Sequence, residues 1–299
     1  MALCSNQSST SQKLEAVKLY FGKRHCRTIV FTLDSAGEYF DLNVITNEYA
    51  EKKYLIFLDD GVASDPTPGA GVTLITVDVS SVVDAEDIAD AFVAQLVASS
   101  IEVRYEQTVA SVEVQNHFVG AITTESYTNS PNSTMTVGAL GFGGYLGQNG
   151  EAELTTTVDT VQLVDDAQGT VVQDEIITGY QIELSVPLRE MTTQRWEDLV
   201  GAVTGNTVTI DGEDITGWGT EKLYNSMFTY SGRLVMHPVR NAMSNIAEDI
   251  TILNTAPILE SLNFSGGSVQ EGSMIFRAYK DANANAGINL TARGDHSKF

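Results

Sequence analysis

The residues that could carry chemistry are few and scattered in this 299-residue chain. The histidines, His25, His117, His237 and His296, stand far apart, and none lies within metal-ligand spacing of another. Neither His-Glu-x-x-His nor paired Cys-x-x-Cys occurs. Each histidine therefore reads as a structural or surface residue. Cys4 and Cys26 are too few for a disulfide framework or a structural zinc site. Cys26 sits in Lys23-Arg24-His25-Cys26-Arg27, where cationic neighbours would lower a thiol's pKa and make it reactive. No second histidine or acid stands nearby to orient such a nucleophile, which favours an incidental cysteine beside a solvated basic cluster.

Gly141-Phe142-Gly143-Gly144-Tyr145-Leu146-Gly147 has the glycine density of a phosphate-binding loop. Such loops need a helix N-terminus behind them to present free N–H groups. A strand-like acidic stretch follows instead, so turn formation is the better reading. Asp165-Asp166 with Asp174-Glu175 offers oxygen ligands for calcium, but Thr170 stands where an EF-hand loop requires glycine. Carboxylate pairs for glycoside hydrolysis depend on three-dimensional separation, and an acidic β-protein holds many by chance. No nucleophile–base pair stands out. The expectation is a protein that is not an enzyme, with no catalytic residues, no cofactor and no metal.

The elements that would position these residues come from composition and patterning. Apolar residues at 42% and charged residues at 19% allow packed cores, and the length favours roughly two domains. Apolar runs such as Leu55-Ile56-Phe57-Leu58 fall far short of the ~20 residues of a membrane-spanning helix. The N-terminus has neither a basic nor an apolar signal-peptide region, which predicts folding in a cytoplasm. Residues 1–27 read as a serine-rich flexible arm and a short helix around Leu14, Val17, Leu19 and Tyr20. Residues 28–124 mix strands with one strong helix, capped by Asp84 and spaced by Ile88, Phe92 and Leu96. The polar, proline-containing stretch 125–137 reads as a linker. Residues 138–299 are mostly strand, with one helix from Thr193 to Gly205 carrying Trp196, Leu199, Val200 and Val203 on one face. The fold class is mainly β with an α+β part: a C-terminal β-sandwich or barrel with a flanking helix, preceded by a smaller α+β domain.

The net charge is −22, unevenly spread. Before Thr28 five cations face the lone Glu15, whereas residues 148–186 hold eight acids and no lysine or arginine. Such a surface repels nucleic acid, because affinity for DNA rests on neutralising phosphates.

Several ordered pieces of the C-terminal part resemble the tail tube (major tail) proteins of long-tailed bacteriophages. They are Gly144-Tyr145-Leu146-Gly147, the run from Asp165 to Gly179, and Val186-Pro187-Leu188-Arg189-Glu190-Met191-Thr192 leading into the helix. Gly232-Arg233-Leu234-Val235-Met236-His237-Pro238 and the end from Phe276-Arg277-Ala278-Tyr279-Lys280-Asp281 to Gly294-Asp295 follow in order. No single piece is diagnostic; their order and spacing together carry the likeness, over residues 138–295. The resemblance implies a β-sandwich with a flanking helix, six copies of which form a ring whose joined sheets line a DNA channel. The N-terminal α+β domain departs from that pattern, since a plain tube subunit would start near Gly138; its expected place is the tube exterior.

On this reading the chain is a structural virion protein that works by assembly in the host cytoplasm. Its partners are itself in stacked hexameric rings, other tail proteins such as a tail terminator and a baseplate or tip, and DNA in transit without specific binding; no membrane is involved. Glu183 alternates with the apolar set Tyr180, Ile182, Leu184 and Val186, so it is the first candidate to face a channel, with Asp159, Glu151 and Glu153 next. Alternatives are another ring-forming tail or baseplate component, or a carbohydrate-binding surface β-domain. The latter needs an exposed aromatic platform, and Trp196 and Trp218 are separated in sequence.

Overall fold

In the computed structural model, which describes residues 3–13, 17–46, 50–120, 122–123, 125, 132–139, 142–147, 151–165, 171–189, 192–263, 271–281, 284 and 287–298, the chain opens with two strands, β1 (Leu3–Lys13) and β2 (Val17–Lys23). They replace the arm and short helix expected over residues 1–27. No apolar alternation marks β1, because its place is set by backbone pairing. In β2, Val17, Leu19, Tyr20 and Phe21 are all buried, a density that fits a strand covered on both faces. Leu14 lies outside the described residues. The chain divides into two compact units, one of Phe21–Gly144 and one of Met1–Tyr20 with Tyr145–Ser297. The first twenty residues thus belong with the C-terminal part.

The Phe21–Gly144 unit is α+β. Its strands are β3 (Cys26–Val30), β4 (Tyr39–Ile45), β5 (Glu51–Asp59) and β6 (Val72–Asp78), followed by helix α1 (Ala85–Ala98). Strands β7 (Val103–Thr108), β8 (Ser111–Asn116) and β9 (Thr134–Ala139) complete it. They form two sheets, β4-β5-β6 and β7-β8-β3-β9. Asp84 caps α1 by accepting the Asp87 N–H at 2.9 Å, and the Asp87 carboxylate accepts the Val83 N–H at 3.0 Å. Ile88, Phe92 and Leu96 then point into one core, where the Phe92 ring meets Phe31 and Phe40 edge-on at 5.4 and 6.0 Å.

Of the expected linker, 125–137, the described ends, Glu125 and residues 132–137, are instead anchored in this unit. Glu125 is buried and its Oε1 lies 3.0 Å from Nη1 of Arg27, which is fully buried. The same oxygen accepts the Asn43 N–H at 2.6 Å, while Arg27 Nη2 donates to the Asn43 carbonyl at 3.1 Å and to Asn116 Oδ1 at 3.3 Å. At the other end, Glu38 accepts the N–H groups of Asn132 and Ser133 at 2.7 and 3.1 Å, and β9 pairs with β3. A polar segment looks like a linker in sequence because its carboxylate partner is distant in the chain. Truncating Glu125 strands the Arg27 guanidinium in the core. Glu125→Ala should therefore cost about 3–5 kcal/mol in denaturant unfolding of the full chain; a change below about 1 kcal/mol would mean the ion pair does not hold this segment.

Strand β10 (Phe142–Tyr145) leads back to the β unit. There follow β11 (Glu153–Asp165) and β12 (Val171–Arg189), then α2 (Thr193–Trp196), continued by a π-helical segment, Glu197–Thr204. A hairpin of β13 (Asn206–Ile210) and β14 (Glu213–Gly217) comes next. Strands β15 (Gly232–Pro238), β16 (Ile250–Asn263), β17 (Glu271–Ala278) and β18 (Thr291–Arg293) end the chain. The main sheet runs β1-β11-β12-β17-β16-β15-β2-β10, with β18 beside β16.

β1 and β2 are consecutive in sequence yet six strand spacings apart in this order. Laid flat, six spacings of ~4.8 Å would separate them by about 29 Å, whereas Lys13 and Val17 can stand at most ~14 Å apart along the chain. The sheet must curl strongly upon itself, as the expected sandwich or barrel does. Leu184, Val186, Leu188, Leu234, Ile252 and Phe276 are fully buried in it.

The flanking helix packs Leu199 and Val200, also fully buried, and its π-helical segment lies against β16. Its N-terminal cap is Thr192, one residue before the expected Thr193: Thr192 Oγ1 accepts the Arg195 N–H at 3.3 Å. At its end the Gly205 N–H bonds the Val200 carbonyl at 2.5 Å, five residues back, the spacing of a π turn.

Candidate functional site

Directly paired residues in neighbouring strands place their side chains on the same face. Along β11 and β12, Glu153 pairs with Ser185, Thr155 with Glu183, Thr157 with Gln181 and Asp159 with Gly179. On the next strand Arg277 pairs with Glu183. Ile182, Leu184, Val186 and Leu188 occupy the alternate positions and are buried. Glu153, Asp159 and Glu183 therefore share the non-core face of β11, β12 and β17, among threonine, serine and glutamine. Glu151 is exposed just ahead of β11, where no strand pairing assigns it a face.

Two details differ from the sequence pattern. Tyr180, expected among the buried residues, is 54% exposed, as are Ile176 and Ile177 at 49% and 53%. The outer half of β12 leaves these residues uncovered, and a register shift between Asp159 and Thr160 interrupts its period-two alternation. Glu183 is also not a lone carboxylate: Arg277 Nε donates to its Oε1 at 2.7 Å, offsetting its charge in a half-exposed pair. Beside that pair an open groove of ≈ 380 Å³ is lined by Tyr180, Gln181, Glu183, Arg277 and Tyr279. Opposite Asp159, a Cβ added to Gly179 would stand 3.1 Å from Asp159 Oδ2, so the glycine leaves room for the carboxylate.

The sequence spacing concealed a second polar cluster. Asp249, just ahead of β16, bridges two imidazoles: Oδ1 lies 2.7 Å from His237 Nδ1 and Oδ2 lies 2.9 Å from His296 Nδ1. All three are buried to within 1%. A His–Asp pair can orient a catalytic base, but His237 Nε2, the atom that would activate a nucleophile, has no hydrogen-bond partner among the described residues. The cluster is closed to substrate and fastens the C-terminal turn to the β15–β16 hairpin. Only folding brings together residues 12 and 47 positions from Asp249, and no local motif could signal it.

The remaining candidates resolve as structure. Cys26 donates to Glu113 Oε1 at 3.2 Å, and burial together with that carboxylate pushes its thiol up to about 12, the opposite of the expected lowering by basic neighbours. The glycine run, of which residues 142–147 are described, forms β10 and its exit. A Cβ on Gly143 would collide with the Phe21 carbonyl, so close packing explains that glycine, while Gly147 holds a φ of +82°, a left-handed conformation that favours glycine. Asp166, Thr170, Gly141 and Gly150 lie outside the described residues. Trp196 and Trp218, separated in sequence, meet edge-to-face at 5.5 Å. Trp196 is only half-buried and donates its ring N–H to the Thr216 carbonyl at 3.3 Å, leaving Trp218 as the exposed member. Among the described residues no group of three or more His, Cys, Asp or Glu is placed to hold a metal ion, and no helix is long and apolar enough to cross a membrane. No protein-family model and no curated protein matches the chain.

Two measurements check these assignments. Asp249→Asn removes the charge that both imidazoles face while keeping the side chain's shape; it should lower unfolding stability by about 3 kcal/mol, and an unchanged unfolding midpoint would refute the fastening role. In a Cys4→Ser background, Cys26 should react with a maleimide at pH 7 roughly a thousandfold more slowly than a free thiol, whereas ordinary reactivity would show a thiolate the Glu113 contact does not suppress.

Proposed function

We propose that the chain is a tail tube subunit of a long-tailed bacteriophage, assembling into stacked hexameric rings that enclose the channel for DNA ejection. The observation that carries this reading is the segregation on β11, β12 and β17. One face is sealed into the core, and the other presents Glu153, Asp159 and Glu183, the last paired with Arg277, among threonine, serine and glutamine. A channel wall past which DNA must slide requires such a face, polar and acidic and without a stripe of exposed cations. The ordered sequence pieces support the same reading: Gly232–Pro238 is strand β15, Val186–Arg189 closes β12 ahead of the helix, and Phe276–Ala278 closes β17. In this reading the protein sits in the virion tail, having assembled in the host cytoplasm, and meets a tail terminator at one end and a baseplate or tip at the other. A baseplate or completion ring of the same fold would share every feature except stacking.

Electron microscopy of the purified chain separates these readings. Tubes with a central channel are expected. Single rings alone would point to a completion or baseplate component, and particles that stay monomeric at every concentration would overturn assembly altogether. Tubes of the Glu153→Lys, Asp159→Lys double variant should retain DNA at low salt, with the retention lost above physiological ionic strength. Assembled variant tubes that release DNA as the parent does would remove the acids from the channel.

A further inference from the structure

The strands around the acidic face, β1, β11, β12 and β17, hold three cations, Lys13, Arg189 and Arg277. The register sets each of them directly across from an acid: Lys13 opposite Glu153, Arg189 opposite Glu271 and Arg277 opposite Glu183. Acids are a minority in all four strands, so a match at every cation belongs to the arrangement of the sheet and not to its composition. Arg277 and Glu183 are joined by one hydrogen bond, from Nε to Oε1 at 2.7 Å, with side chains 52% and 40% exposed. A pair this open to water adds little to stability. Its consequence lies in what the two charges do to their surroundings.

Arg277 commits only its Nε to that pair. Its Nη1 and Nη2 groups make no hydrogen bond among the described residues, and the terminal amines of a guanidinium suit the oxygens of a phosphate. The groove beside the pair has the same bias. Its other polar side chains are Tyr180, Gln181 and Tyr279, and Glu183 is the one carboxylate in the lining. Arginine, glutamine and tyrosine are all side chains that contact DNA phosphates. Tyr180 and Gln181 are exposed, so a polyanion at the surface can reach them. With Glu183 charged, a phosphate approaching Arg277 meets repulsion to match the attraction, since both charges lie well inside the ~8 Å screening length. Without that charge the groove is a set of donors around a cation.

We infer that Glu183 is a masking residue: by pairing with Arg277 it keeps a groove with the make-up of a phosphate site from gripping the backbone of DNA. The carboxylate acts through the cation it cancels and not by adding negative charge to the face. This deepens the channel reading proposed above, on which its purpose rests. A wall along which DNA slides tolerates an arginine only where the arginine is answered, because each phosphate contact left open adds to binding.

The test titrates a short fluorescent DNA duplex with the full-length chain at low salt, comparing the parent, Glu183→Gln and the Glu183→Gln, Arg277→Gln double variant. Glu183→Gln removes the charge and keeps the shape. It should bind roughly tenfold more tightly than the parent, the size of one charge-assisted contact. Its dependence of log affinity on log salt should steepen by about 0.9, for one phosphate gained. The double variant should return to the parent's binding. Both should melt at the parent's temperature, because the pair is half-exposed. A Glu183→Gln chain that binds no better than the parent overturns the masking role. So does a double variant that keeps the gain, which would then come from net charge alone, and so does a gain seen only with a fall in melting temperature. Binding is read whether or not the chain assembles, which separates the two readings. An Arg277-dependent gain in a chain that forms no tubes upholds the masking and sinks the channel, whereas tubes without the gain do the reverse.

Discussion

Three residues join strands that stand at opposite ends of a seven-strand path, and that short tether governs the β unit. With Lys13 and Val17 held within ~14 Å, the sheet has to curl, and a curled sheet gives its two faces different fates. The inner one closes over Leu184, Val186, Leu188, Leu234, Ile252 and Phe276. The outer one carries whatever the chain shows to its surroundings, here the carboxylates of Glu153, Asp159 and Glu183. Facing is thereby decided by topology before any individual charge matters. The flanking helix and the buried His237–Asp249–His296 bridge hold other parts of the same unit, one against β16 and one at the C-terminus.

The sequence signals its structure where local physics controls the outcome. Helix α1 is legible because its cap, its acidic first turn and its four-residue apolar spacing lie within a few turns of chain. Strand β12 is legible from Ile182 to Leu188 because period-two alternation records burial on one face. Most of the departures involve a distant partner. β1 is polar along its length and exists because a neighbouring backbone pairs with it from Leu3 to Lys13. Glu125 sits in a segment with linker composition and is recruited by Arg27 almost one hundred residues earlier in the chain. Tyr180 keeps the strand's alternation but is left uncovered. Cys26 has basic neighbours in sequence, while Glu113 across the β3–β8 pair is the group that sets its chemistry.

The candidate surface follows the same division. Parity along a strand was enough to set Glu183 opposite Ile182, Leu184 and Val186, yet its partner Arg277 comes from β17 and offsets the very charge that made it conspicuous. The two tryptophans, distant in sequence, converge through the helix and hairpin between them.

The measurement that tests the central claim most directly is a side-chain-resolution cryo-electron microscopy reconstruction of the assembled full-length chain. The account requires a ring in which the outer face of β11, β12 and β17 turns toward the central axis, with the carboxylates of Glu153 and Asp159 at the channel surface. A ring that directs this face outward or buries it between subunits would contradict it, whatever the channel's width.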